Sequence, residues 1–126
     1  FLAAAWYTMH GARISFTEGA RYDFIADLDG NLLRVQVKSS TFRVGTGWSV
    51  TLAPARYNPS AKLGPNGRRS SAPYTSDEID EMFVVTADNK MYRIEVNSLP
   101  KGKKANFPGR FQKCEVIFPQ PDSSAW

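Results

Sequence analysis

Three side chains in the first third of the chain have the types and spacing for metal-assisted phosphodiester chemistry: Asp23, Gln36 and Lys38. Gln36 and Lys38 are two residues apart, so on a β-strand they emerge on the same side, roughly 7 Å from each other. A carboxylate and an amide oxygen are hard donors of the kind that hold Mg²⁺ or Mn²⁺. An ammonium group beside them is suited to orient or activate an attacking water and to offset charge building on the phosphorus oxygens. The plainer reading of the same trio is a solvated strand face, where polar alternation is expected and carries no chemistry. What separates the two readings is the set of elements that must position these residues.

Tyr22 to Leu28 and Leu32 to Ser39 are β-compatible runs on either side of Asp29-Gly30-Asn31, which predicts a β-hairpin closed by a two-residue type I′ turn. With Asp29 and Gly30 as the turn, Leu28 pairs with Asn31, Phe24 falls opposite Val35 and Asp23 opposite Gln36. One face then carries Tyr22, Phe24, Ala26, Leu28, Leu33, Val35 and Val37. The other carries Asp23, Ile25, Asp27, Leu32, Arg34, Gln36 and Lys38. A three-residue loop would set Phe24 against Gln36 and mix the faces, so the pattern selects the register that gathers the three polar residues.

Elsewhere, Phe1, Leu2, Ala5, Trp6 and Met9 recur at helical spacing, and Gly11 stands where a left-handed cap would end a helix over Phe1 to His10, with Trp6 and Met9 in the core. Arg13 to Phe16 and Trp48 to Ala53 read as strands. Met82 to Thr86 and Met91 to Val96 read as a second hairpin around Ala87 to Lys90, preceded by an acidic turn, Asp77 to Glu81, capped by Ser76. Glu115 to Phe118 reads as a last strand and residues 119–126 as a tail. Residues 54–76 form a long loop rich in Pro, Gly, Asn and Ser. With no internal repeat and no boundary signal, the expectation is one α+β domain over residues 1–126: an N-terminal helix packed on a central mixed sheet built from two hairpins.

Charge is segregated. The 16 basic and 12 acidic residues net +4, yet Gly30 to Ser76 contains no acid and carries Arg34, Lys38, Arg43, Arg56, Lys62, Arg68 and Arg69. A second acid-free stretch supplies Lys101, Lys103, Lys104, Arg110 and Lys113. A phosphate backbone favours such segregation, because each neutralised phosphate releases condensed counterions. Arg21, Arg34, Ser39, Arg43, Arg56, Lys62, Arg68, Arg69, Lys101, Lys103 and Lys104 are therefore candidate DNA contacts, with the 54–76 loop as a basic flap. Ser40 and Thr41 are further hydroxyls at the strand end.

Composition removes several alternatives. Cys114 and His10 are the only cysteine and histidine, which excludes a disulfide framework, a Cys/His zinc site and a two-histidine mechanism within one chain. No apolar run approaches the roughly 20 residues that cross a bilayer, and Phe1 to Met9 lacks the marks of a secretory signal. The expected setting is intracellular, in cytoplasm or nucleoid, with no membrane partner. Gly45 to Trp48 lacks the Gly-Lys-Ser/Thr ending of a phosphate loop, so no nucleotide cofactor is expected.

The segment RYDFIADLDGNLLRVQVKSS, Arg21 to Ser40, resembles the core of the PD-(D/E)XK nuclease superfamily, in particular the group I intron-associated PD-(D/E)XK endonucleases. Arg68 to Ser70, the Tyr74 to Phe83 run and the KMYRIEV strand, Lys90 to Val96, are similar to that group as well, so that the resemblance covers about residues 1 to 97. It implies a restriction-endonuclease-like core. It puts the family's strand aspartate on Asp23, its glutamate-or-glutamine on Gln36 and its lysine on Lys38. It also implies Mg²⁺ or Mn²⁺ as cofactor, DNA as substrate, homing-type or junction-type cleavage and a homo-oligomer, since one such site cuts one strand. The family usually supplies another acid from its first helix, and Phe1 to His10 has none. Either that acid lies upstream of Phe1, as a chain starting without methionine suggests, or the site lacks it, with Glu18 of the following loop as the candidate substitute metal ligand. A catalytically silent nucleic-acid-binding module on the same fold is the alternative.

Overall fold

The computed structural model describes residues 1–18, 21–52, 74–101 and 104–119. Helix α1 spans Leu2–Met9 and ends as its sequence requires. Gly11 has φ of 91°, its N–H donates to Thr8 O, and the N–H of Ala12 donates to Tyr7 O. These two bonds form a Schellman cap, which needs the left-handed conformation that glycine adopts without strain.

Strand β1 (Arg13–Phe16) pairs antiparallel with β2 (Phe24–Leu28), which pairs with β3 (Asn31–Ser40). The predicted register is present: Leu28 faces Asn31 and Phe24 faces Val35. Asp29 and Gly30 have φ of 53° and 82°, the two positive values that a type I′ turn needs.

Strands β4 (Arg43–Val44) and β5 (Gly47–Thr51) follow, then β6 (Glu81–Thr86), β7 (Met91–Glu95), β8 (Lys104–Phe107) and β9 (Glu115–Val116). The main sheet has the order β1-β2-β3-β6-β7-β9, and β4-β5-β8 form a second sheet. The two hairpins join where β3 lies parallel to β6, from Val35 opposite Glu81 to Ser40 opposite Thr86. This is the mixed sheet expected from the sequence. The strand β8 was not: Lys104 to Phe107 reads as part of a basic loop, and only its distant pairing with β5 makes it a strand.

The main sheet is covered on both sides. Trp6, Tyr7, Phe24, Val35, Phe83 and Met91 pack under α1, while Leu52, Met82, Val84, Tyr92, Phe107 and Phe111 pack on the far side against the second sheet. Strand β6 accordingly has five of its six residues buried, as expected of a strand covered on both faces. Trp6 is core as expected, but Met9 is exposed because the apolar positions span more of the helix than the face that meets the sheet. The turn before β6 is capped by Thr75 rather than Ser76, with Glu78 Oε1 accepting from both the N–H and the hydroxyl of Thr75.

Candidate active site

The ladder between β2 and β3 stops at Phe24, and Asp23 departs from it in a specific way. Its N–H donates to Val35 O at 2.8 Å, and its carboxylate Oδ2 accepts the N–H of Val37 at 2.7 Å. The side chain thereby replaces the backbone partner that a continuing strand would have offered to Val37. Alternation breaks at the same point: Tyr22, expected on the face of Phe24, packs with the cluster on the opposite side of the sheet.

Val37 is the residue between Gln36 and Lys38, so this bond brings the Asp23 carboxylate to the stretch of β3 that carries the other two candidates. Val35 and Val37 belong to the cluster under α1, which by strand alternation sends Gln36 and Lys38 to the other side. Both are half-buried. Gln36 Nε2 donates to Val37 O at 3.4 Å, which leaves the amide oxygen to accept. Lys38 Nζ stands 5.6 Å from the centre of the Tyr74 ring, a cation–π arrangement that orients the ammonium group without neutralising it. Among the described residues no ion pair engages it. Asp23 itself is exposed and lines a cavity of about 400 Å³ with Phe1, Ala4, Phe16, Phe24 and Val37, on the α1 side of the sheet, opposite the side that carries Gln36 and Lys38.

The segment that follows Tyr74 is fastened to β3 by Arg34, a residue expected from the sequence as a DNA contact. Arg34 donates from Nε to Asp80 Oδ2 at 3.0 Å and from Nη2 to Asp80 Oδ1 at 3.2 Å. It also donates to the carbonyls of Asp77 and Ser76, each at 2.7 Å. The backbones join in as well, with Arg34 N–H to Asp80 Oδ2 at 2.7 Å and Asp80 N–H to Arg34 O at 2.9 Å. Most of the guanidinium donors are thus spent inside the protein, and Arg34 fastens residues 76–80 to β3. The hydrogen bond from Arg34 holds the Asp80 carboxyl below its ordinary range, and the same bond raises Arg34.

The remaining candidates are dispersed. Glu18 is exposed in the bend after β1, and among the described residues no three Asp, Glu, His or Cys side chains group as metal ligands. Arg21 lies 3.7 Å from Glu78, and Arg43 stacks over Trp48 at 5.8 Å. Ser39, Lys101 and Lys104 are exposed. Buried Ser40 donates its hydroxyl to Ser49 O, a bond that ties the end of β3 to β5. Arg56, Lys62, Arg68, Arg69 and Lys103 lie outside the described residues. His10 stacks on Trp6 at 4.0 Å.

A buried carboxylate escaped the sequence reading. Glu81, 4% exposed, accepts from the Tyr7 hydroxyl and from Arg93 Nε at 2.8 Å. Arg93 also stacks over Trp6 and Tyr7 at 5.5 and 5.6 Å. Burial, reinforced by the charge of Glu81, pushes the Tyr7 hydroxyl well above its ordinary range, so it stays a donor. The available signal was alternation in β6, which puts Glu81 on the side of Phe83 and under α1.

A family model described as PD-(D/E)XK endonuclease matches residues 4–107, a span that takes in both hairpins and all three candidate residues. The chain belongs to the PD-(D/E)XK endonuclease family. The structure of a bacterial homing endonuclease, I-Ssp6803I, is similar with a TM-score of 0.65 and 22% identity, covering 83% of this chain and 70% of that one. That likeness is one of fold, and it agrees with the helix and mixed sheet described above. No curated protein matches the sequence. Membership of the PD-(D/E)XK endonuclease family makes the chain's fold that of a nuclease. Among the described residues no helix is long and apolar enough to cross a membrane.

Proposed function

We propose that this member of the PD-(D/E)XK endonuclease family is a divalent-metal-dependent DNA endonuclease of homing or junction type, with Asp23, Gln36 and Lys38 as its working residues. The observation that carries this reading is the bond from Val37 N–H to the Asp23 carboxylate, which draws an acid to the backbone between the amide and the lysine. The donor set suits Mg²⁺ or Mn²⁺ in kind: one Asp23 oxygen is engaged by Val37 and the other is left to bind, and the Gln36 amide oxygen is a second hard donor. Two protein oxygens are few, but Mg²⁺ characteristically binds through one or two carboxylates together with water and substrate phosphate. When bound, the ion polarises the scissile phosphate and acidifies water.

The chain's own residues account for the rest. Lys38, steadied over Tyr74, presents N–H donors to the attacking water and to the phosphate oxygens on which charge accumulates as the P–O bond to the leaving sugar breaks. Arg34 and Asp80 tie the turn that follows Tyr74 to β3, the strand that carries Lys38. Ser39, Arg21, Arg43, Lys101 and Lys104, with Arg56, Lys62, Arg68, Arg69 and Lys103 on charge alone, are the candidate contacts that hold DNA across the site. A homo-oligomer supplies the second site that a double-strand break needs.

The test is nicking of supercoiled plasmid in Mg²⁺ or Mn²⁺ against an EDTA control. Metal-dependent nicking is the expected result, and an absence of nicking on linear, supercoiled and four-way-junction DNA would overturn it. A second reading, a catalytically silent DNA-binding module, is favoured by one feature: Gln36 in place of an acid, with no three-acid group among the described residues. It predicts binding to the same DNA with no cleavage.

A further inference from the structure

Beyond the Asp23, Gln36 and Lys38 site, the protein has a groove that begins beside it and is lined by cations. A cavity of about 410 Å³ runs from Tyr74, Thr75 and Ser76 to Lys101. A second, of about 570 Å³, runs on from Lys101 to Arg110 and Lys113. The two share Asn97, Leu99, Pro100 and Lys101 as a common wall, so they adjoin each other at the surface. The near end of the smaller one is the Tyr74 ring over which Lys38 stands.

The lining has the chemistry of a polyanion site. Lys101, Arg110 and Lys113 line it, and neither cavity has an Asp or Glu in its lining among the described residues. Neutral donors, Thr75, Ser76, Asn97 and Ser98, line the two cavities as well. Arg110 is steadied: its guanidinium lies 5.0 Å over Phe111, which stacks on buried Phe107 at 4.6 Å. All three cations line the larger cavity and Lys101 lines both, so positive charge reaches from the larger cavity to the wall it shares with the one that ends at Tyr74, an arrangement suited to more than one phosphate of a strand.

We propose that these adjoining cavities are a phosphate track, in which Lys101, Arg110 and Lys113 hold the sugar–phosphate backbone of one DNA strand as it runs from the Lys38 site toward the 3₁₀ segment Gly109–Cys114. The identity of the polyanion as DNA rests on the reading given under Proposed function; the track itself rests on the lining. Arg110 and Lys113 belong to the second acid-free stretch of the sequence, and the lining of the larger cavity puts them beside Lys101.

The experiment measures binding of a labelled duplex of random sequence to the whole chain without divalent metal, as a function of salt. The variant Lys101→Gln/Arg110→Gln/Lys113→Gln should lower the slope of log K against log salt by about 2 to 3, and each single change by about 0.9. The charge-preserving set Lys101→Arg, Arg110→Lys and Lys113→Arg should keep the wild-type slope. The single variants carry the result if the triple one fails to fold. A slope unchanged in all Gln variants overturns the track. So does a result in which inorganic phosphate saturates these residues in an NMR titration while the DNA slope stays at its wild-type value, which would mark a site for a free anion. Failure of the two readings is distinguishable: nicking with unchanged slopes refutes the track alone, and reduced slopes without nicking refute the nuclease alone.

Discussion

Replacing Glu81 by alanine should destabilise the protein by about 3 to 4 kcal/mol, and the figure can be built from its surroundings. Truncating one partner of a buried ion pair costs about 3 to 5 kcal/mol, because the other charge is left without compensation. The Glu81 side chain is 5% exposed but that of Arg93 is 32% exposed, so water recovers part of the guanidinium's solvation and the lower half of that range applies. The buried Tyr7 hydroxyl also loses its acceptor, a further loss of about 1 kcal/mol or more that partly overlaps with the first. Glu81→Gln keeps an acceptor for Tyr7 and discards only the charge, so it should cost about half as much. Glu81→Met/Arg93→Met removes both charges and should be less harmful than Glu81→Ala alone, since a buried pair replaced by apolar groups is often nearly neutral. Urea unfolding followed by the fluorescence of buried Trp6 reads these differences from the midpoint at unchanged slope. A loss below about 1 kcal/mol for Glu81→Ala, or strict additivity with Arg93→Met, would refute the reasoning. The stakes are large against the 5 to 15 kcal/mol that typically holds a domain together.

Other outcomes follow from the same structure. The Asp80 carboxyl lies below its ordinary 3.8 in the folded state, so its contribution is fully present above that value and is lost as pH falls through the lowered one. Wild type should therefore exceed Asp80→Asn in urea midpoint at neutral pH, and the gap should close in acid below about pH 4; a gap independent of pH would contradict this. At Gly47 an added Cβ would lie 2.5 Å from the backbone oxygen of Phe107, and every atom it would meet is backbone, which cannot swing aside as a side chain can. Gly47→Ala should cost about 1 to 3 kcal/mol, seen as a melting temperature several degrees lower, and an unchanged melting curve would refute the close approach.

What could be read from the sequence was the part decided by neighbours in the chain. Asp29-Gly30 determines its turn through two positive φ values, and the turn then sets the register that pairs Phe24 with Val35. Gly11 ends α1 for the same local reason. What escaped depended on residues far apart. Arg34 looks like any lysine or arginine of the basic stretch until Asp80, 46 positions on, is folded against it. Glu81 looks like the last acid of a solvated turn until Tyr7 and Arg93 close over it. The short strand β8 exists only because β5 is there to pair with it. At the candidate site, strand spacing correctly put Gln36 and Lys38 on one side. The break in alternation at Asp23, where a side chain substitutes for the backbone, leaves no periodic trace.

In the proposed endonuclease Lys38 serves the cleavage step and not the holding of DNA. The most direct measurement compares wild type with Lys38→Ala for both plasmid nicking in Mg²⁺ and duplex binding without metal. Nicking should fall by at least about 100-fold, the usual scale for a positioned acid–base or electrostatic group, while binding changes little. A Lys38→Ala protein that nicks at the wild-type rate would contradict that role of Lys38.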